Sequence, residues 1–164
     1  LTGIIFAAFA ALALLVIFGT NIFNYKRVIK KAADYFDRQR YRLAYDEVAG
    51  VEVKEKDQEL KDRIYTVMYV ERLYESYENN MKLNRPDKAL DSLIRGLEKY
   101  DEHYDEAVEL EIVDDINLCR ANIINALSTT FGISEDTAYE IMGYNGQEYI
   151  DALSQYSEGV VTGE

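Results

Sequence analysis

Apolar and polar positions divide the chain into one unbroken apolar run followed by a series of amphipathic stretches. Ile4 to Phe23 is almost wholly apolar, interrupted only by Gly19, Thr20 and Asn21. As an α-helix this run would span roughly 30 Å, the thickness of a hydrocarbon core. It is apolar all round rather than along one stripe, and no small-residue cleavage site ends it, which separates it from a core helix of a soluble domain and from a signal peptide. A single transmembrane helix is therefore expected, with residues 1–25 as the anchor, since Leu1 to Tyr25 carries no charge. The chain opens on Leu1 rather than Met, so further residues are expected upstream.

Beyond the anchor the spacing changes to threes and fours, the period of helices with one buried face. Tyr25 to Arg38 places Val28, Ile29, Ala32, Ala33, Tyr35 and Phe36 on an apolar stripe, and Tyr41 to Val48 forms a second short helix ending near Gly50. After a charged connection, Asp57 to Leu83 reads as a long helix with Leu60, Ile64, Val67, Tyr74, Tyr77 and Met81 on its core side. Pro86 suits the first turn of the next helix, where its missing N–H costs nothing, and Ala89, Leu90, Leu93, Ile94 and Leu97 follow it. The acidic segment Tyr100 to Glu106 is expected to link that helix to another, carrying Ile112, Ile116, Cys119, Ile123, Ala126 and Thr130. Gly132 is a helix stop, and Ser134 with Glu135 and Asp136 is a helix start. Short helices over Thr137–Met142 and Gln147–Tyr156 complete the pattern, and 157–164 is too polar to dock and is expected to fray. The expected organisation is an anchor at 1–25, a helical domain at 26–156 and a tail at 157–164. With a single proline and no alternating runs, the fold class is all-α.

Charge alters the picture in one respect. The 30 Asp and Glu outnumber the 18 Lys and Arg, but unevenly. Residues 1–100 hold 17 basic and 15 acidic side chains, whereas 101–164 hold 15 acidic residues and one base, Arg120, a net of −14. Such a surface repels phosphates, so nucleic acid is excluded as a partner. The one segment resembling a helix-turn-helix, Ala126 to Ala138, puts Glu135, Asp136 and Glu140 where a recognition helix needs cations. Lys26, Arg27, Lys30 and Lys31 follow the anchor directly and are expected to contact the membrane surface through lipid headgroups. Clusters of this kind are retained on the cytoplasmic side. A single-pass membrane protein with its domain in the cytoplasm is expected, and a more basic upstream segment would place the domain outside.

Three alanines repeat within the helix pairs. Ala44, Ala89 and Ala138 lie in second helices; twelve residues earlier stand Ala32, Tyr77 and Ala126, and four later Val48, Leu93 and Met142. With Arg85-Pro86-Asp87-Lys88-Ala89-Leu90-Asp91-Ser92-Leu93 as its best segment, this pattern resembles the tetratricopeptide repeat. The resemblance covers Val28 to about Met142 and departs from the family in its alanine spacings of 45 and 49 against the usual period of about 34. It implies enlarged α-α repeats, a surface that binds a peptide or partner helix, and Gln147–Tyr156 as a capping helix.

No catalytic or metal signature is present: there is no phosphate loop, no nucleophile elbow and no His-Glu-x-x-His pair. His103 and Cys119 are the only residues of their kinds, lie 16 apart and cannot build a zinc site, and Cys119 falls on an apolar stripe. The acidic run from Asp101 to Asp115 lacks the spacing of a calcium loop. No enzyme activity, cofactor or small-molecule substrate is expected. Asp101, Asp105 and Glu109 recur every four residues and form the candidate binding face for a basic protein or peptide partner. Tyr65, Tyr69, Tyr74 and Tyr77 ride one helix and fit either a core or a groove. The expected function is a membrane-anchored interaction or scaffold module. The alternative is a structural accessory subunit of a larger membrane complex, for which Ala7, Ala8, Ala10, Ala11 and Ala13 would give the anchor close-packing faces.

Overall fold

The computed structural model describes residues 22–160, and all regular structure among them is helical. Helix α1 covers 22–37 and α2 covers Tyr41–Val48. A single 3-10 turn at Glu55–Asp57 precedes α3, Gln58–Lys82. Then come α4, Pro86–Glu109, α5, Val113–Phe131, α6, Glu135–Met142, and α7, Gly146–Ser157. The chain divides into two compact units, one ending at Gln58 and one starting at Glu59.

One expectation is corrected at the outset. Among the described residues no helix is long and apolar enough to cross a membrane. The run on which the transmembrane helix rested lies outside the described residues apart from Ile22 and Phe23. From there α1 carries Lys26, Arg27, Lys30, Lys31, Asp34 and Asp37. The single-pass membrane assignment, which rested on that helix, is not supported by any helix among the described residues. Lys26, Arg27 and Lys30 are exposed, while the Lys31 ammonium lies 3.3 Å from a Glu47 carboxylate oxygen of α2.

In the first unit α1 and α2 bury Ala32, Phe36, Tyr41, Ala44 and Val48. Phe36 and Tyr41 meet edge to face, with ring centroids 5.5 Å apart. The connection after α2 is strapped back onto α1 by Tyr25, whose hydroxyl donates to Asp57 Oδ2 at 2.6 Å and accepts the Lys54 N–H at 3.0 Å. The Lys54 ammonium stands 4.8 Å from the Tyr25 ring centroid. Asp57 is held below the usual carboxylate range by the Tyr25 and Lys56 hydrogen bonds.

In the second unit α3 and α4 run antiparallel. Ser76 and Ser92 share a hydrogen bond at 2.9 Å, and Tyr69 stacks on His103 with centroids 4.0 Å apart. Tyr77 crosses from α3 to α5, its hydroxyl 2.9 Å from Thr130 Oγ1 and its ring edge-on to Phe131. Helix α4 sits centrally: α5, α6 and α7 all pack against it. Its core residues Leu90, Leu93, Ile94 and Leu97 are fully buried, as are Ile116, Ile123 and Leu127 of α5. Gly96 lies where α4 packs tightly against α3 and α5, since a Cβ there would stand 2.6 Å from Ile123 Cδ1 and 3.6 Å from Leu73 Cβ.

The acidic stretch from Tyr100 to Glu106 is not a link, because α4 continues through it to Glu109. Nothing in the stretch breaks a helix, and its apolar spacing persists to Ala107, which is fully buried. Where helices do turn, the backbone repeats one device. Gln39, Asn84 and Glu111 adopt left-handed φ values of 57°, 54° and 58°. The N–H of the residue after each reaches back five positions, from Arg40 to Tyr35, Arg85 to Asn80 and Ile112 to Ala107, all at 2.9 Å. Gly132, with φ 64°, closes α5, and the Ser134 hydroxyl accepts from the Thr137 N–H at 3.2 Å to open α6.

Glycine holds the left-handed conformation without a Cβ penalty, which for other residues is about 1–2 kcal/mol. Glu111→Gly is therefore expected to stabilise the fold by ~1 kcal/mol, read as a rise of several degrees in a thermal melt. Gly132→Ala is the converse, since an added Cβ meets no atom within 4 Å and only the backbone cost of ~1 kcal/mol remains. Indistinguishable melts for parent and both variants would contradict a strained corner at 111.

Candidate partner-binding surface

Because α4 is continuous, its acidic residues fall into register. Asp101, Asp105 and Glu109 lie on one face as their spacing predicts, and the same face extends backward through Glu98 to Asp91. At the helical rise this stripe of five carboxylates runs roughly 27 Å. Helices α6 and α7 are tied to it by tyrosine hydroxyls: Tyr139 donates to Asp101 Oδ1 at 3.1 Å, and Tyr149 donates to Asp91 Oδ1 at 2.8 Å.

Pairing sorts the remaining acids of α4. Glu102 is neutralised by Lys99 one turn back, and Glu106 takes His103 Nδ1 at 2.9 Å. Glu98, Asp105 and Glu109 are exposed and have no ion pair or hydrogen bond among the described residues. Arg120, the one base after residue 100, is engaged within the fold. Its guanidinium pairs with Glu135 and lies 5.2 Å from the Tyr100 ring centroid, and Tyr100 in turn donates to Asn117 Oδ1 at 2.7 Å. The acidic stripe thus faces outward with no cation of this segment free to screen it.

The tyrosines on this surface remain proton donors. Burial, reinforced by the Asp91 hydrogen bond, pushes the Tyr149 hydroxyl up, and burial with the Asp101 charge does the same for Tyr139. Between α4, the end of α6 and the start of α7 lies a cleft of about 300 Å³. Ile94 and Met142 supply apolar lining, Tyr144 and Tyr149 contribute aromatic rings, and Asp91 and Glu98 place carboxylates along it.

Cys119 is buried, and desolvation, with Glu71 beside it, raises its thiol far above reactivity at neutral pH. None of the four tyrosines of α3 is fully buried: Tyr69 is exposed and Tyr65, Tyr74 and Tyr77 are half-buried. Tyr74 and Tyr77 line a shallow depression of about 290 Å³ with Glu78, Met81 and Lys82. Among the described residues no group of His, Cys, Asp or Glu is placed to hold a metal ion.

Asp91, Glu98, Tyr139 and Tyr149 were not visible as site residues from the sequence. Asp91 and Glu98 share the helical phase of Asp101, Asp105 and Glu109, so a helix unbroken at Tyr100 would have added them. The tyrosines join through tertiary contacts 38 and 58 residues apart, for which the sequence carries no signal. The chain matches no family model, and neither a curated protein nor a solved structure matches it.

Proposed function

We propose that this protein is a protein–protein interaction module, built of helix pairs similar to tetratricopeptide repeats, that recruits a basic protein or peptide and carries out no chemistry of its own. The observation that carries the reading is the selective pairing along α4. Local partners engage Glu102 and Glu106, whereas Glu98, Asp105 and Glu109 stand exposed without partners among the described residues. Exposed, outward-facing carboxylates contribute little to folding but much to the encounter with a positively charged surface.

The helix pairs support the repeat-like part of the reading. Ala44, Ala89 and Ala138 are all fully buried. The left-handed residue that ends each preceding helix, Gln39, Asn84 or Gly132, stands five, five and six positions ahead of its alanine. Buried small residues that follow a corner by five or six positions are what close antiparallel crossings need.

The test is kinetic. Basic peptides enriched from a displayed random library on the whole chain serve as probes. Association with Asp101→Asn, Asp105→Asn and Glu109→Gln combined is expected to be roughly tenfold slower than with the parent, with dissociation little changed. The difference should shrink between ~0.01 M and ~0.1 M salt, as the screening length falls from about 30 to about 10 Å. No enrichment of basic sequences, or unchanged association at low salt, overturns the proposal and leaves the acidic face a solvating surface.

A further inference from the structure

We infer that the cleft between α4, α6 and α7 is the anchor pocket of the proposed interaction surface and takes one cationic side chain, arginine or lysine, of a basic partner. The inference rests on the interaction-module reading and specifies where the partner is gripped.

The composition of the cleft matches that occupant. Ile94 and Met142 offer apolar contact for a long aliphatic stem, and Tyr144 and Tyr149 bring aromatic rings, which attract cations, to the lining. The Tyr149 hydroxyl fixes Asp91 through Oδ1 at 2.8 Å. Asp91 Oδ2 lies 4.0 Å from Arg95 Nη1, beyond hydrogen-bond reach. Glu98 has no hydrogen bond or ion pair among the described residues. Two carboxylates are therefore positioned on a partly apolar wall with acceptor capacity unused, and a charge-assisted hydrogen bond from a partner cation would fill it.

An anion is the competing occupant, since Arg95 and the start of α7 at Gly146 also border the cleft. Charge decides between them. Asp91 and Glu98 line the cleft, and Glu140 and Glu148 act on the Tyr144 hydroxyl from beside it. Against these four negative charges stand Arg95 and the roughly half charge of a helix N-terminus. The local potential is negative, and the acidic stripe through Asp101, Asp105 and Glu109 leads along α4 into the same site.

Titration of the whole chain with an acetylated hexa-arginine peptide, followed by NMR, tests this, with the uncharged hexa-citrulline isostere as control. Saturable shifts of the Tyr144 and Tyr149 rings and of the Ile94 and Met142 methyls are expected. Asp91→Asn with Glu98→Gln should weaken binding at least tenfold while the thermal melt is retained, because the Asn side-chain carbonyl still accepts from Tyr149. Hexa-citrulline should not bind. Binding that shifts only residues near Asp105 and Glu109, and that ignores the Asp91/Glu98 variant, overturns the cleft and leaves the interaction module standing. Equal binding of the citrulline peptide overturns the cation assignment. No binding of hexa-arginine at all overturns both.

Discussion

Gly96→Leu is expected to destabilise the unit beginning at Glu59 by about 3 kcal/mol, the upper end of overpacking costs, with a fall in Tm on the order of 15 °C. Gly96 is buried in the interior of α4, a place where glycine costs about 1 kcal/mol relative to alanine. That cost is offset by close approach of the helices: a Cβ would stand 2.6 Å from Ile123 Cδ1 and 3.6 Å from Leu73 Cβ. The nearer atom is the free end of an isoleucine, which can rotate away from one methyl group. Gly96→Ala should therefore lie within about 1 kcal/mol of the parent, the propensity gain balancing the displacement. A leucine has no such escape, because its branch must enter the space already filled by Ile123 and Leu73. Thermal melts of both variants check this, and a Gly96→Leu protein that melts like the parent would refute a tight crossing at this point.

Ala89→Leu and Ala44→Leu form the second expectation, each costing roughly 1–3 kcal/mol. Both alanines are fully buried, the first in the second unit and the second in the first unit. Ala33 is half-buried on α1 and off the repeated register, so Ala33→Leu should be tolerated within about 0.5 kcal/mol. The three variants together address the helix-pair pattern: equal tolerance at all three sites would favour an irregular bundle in which these alanines have no special station. A loss confined to Ala44 and Ala89 would fit crossings that require small side chains.

Much of the helical framework was legible because each signal was local. Tyr41–Val48 was read with the bounds it has in the structure. Pro86 opens α4, Gly132 closes α5 in the left-handed conformation, and Ser134 caps α6 through its hydroxyl. These are residues whose backbone preferences act without help from the rest of the chain. The errors came where a local cue was given more weight than periodicity. The charge density of Tyr100–Glu106 suggested a connection, yet a solvent-facing helix surface accepts acids freely, and Ala107 keeps the buried face going. The apolar run at the start suggested a spanning helix; the described residues contain none, and most of that run lies beyond them. The corners at Gln39, Asn84 and Glu111 were illegible as left-handed positions, because two of them are residue types that rarely adopt positive φ.

By itself the sequence determined the class of the fold, most helix boundaries, the buried stripes and the placement of Asp101, Asp105 and Glu109 on a single face, since all of these follow from the helical period and from residues with strong backbone preferences. Only the tertiary structure decided which of those acids remain unpaired, that Arg120 turns inward to Glu135, that Tyr139 and Tyr149 reach across to Asp101 and Asp91, and that a cleft opens beside Ile94. Those outcomes depend on side chains 15 to 58 residues apart meeting in space, and separations of that size leave no periodic trace in a single chain.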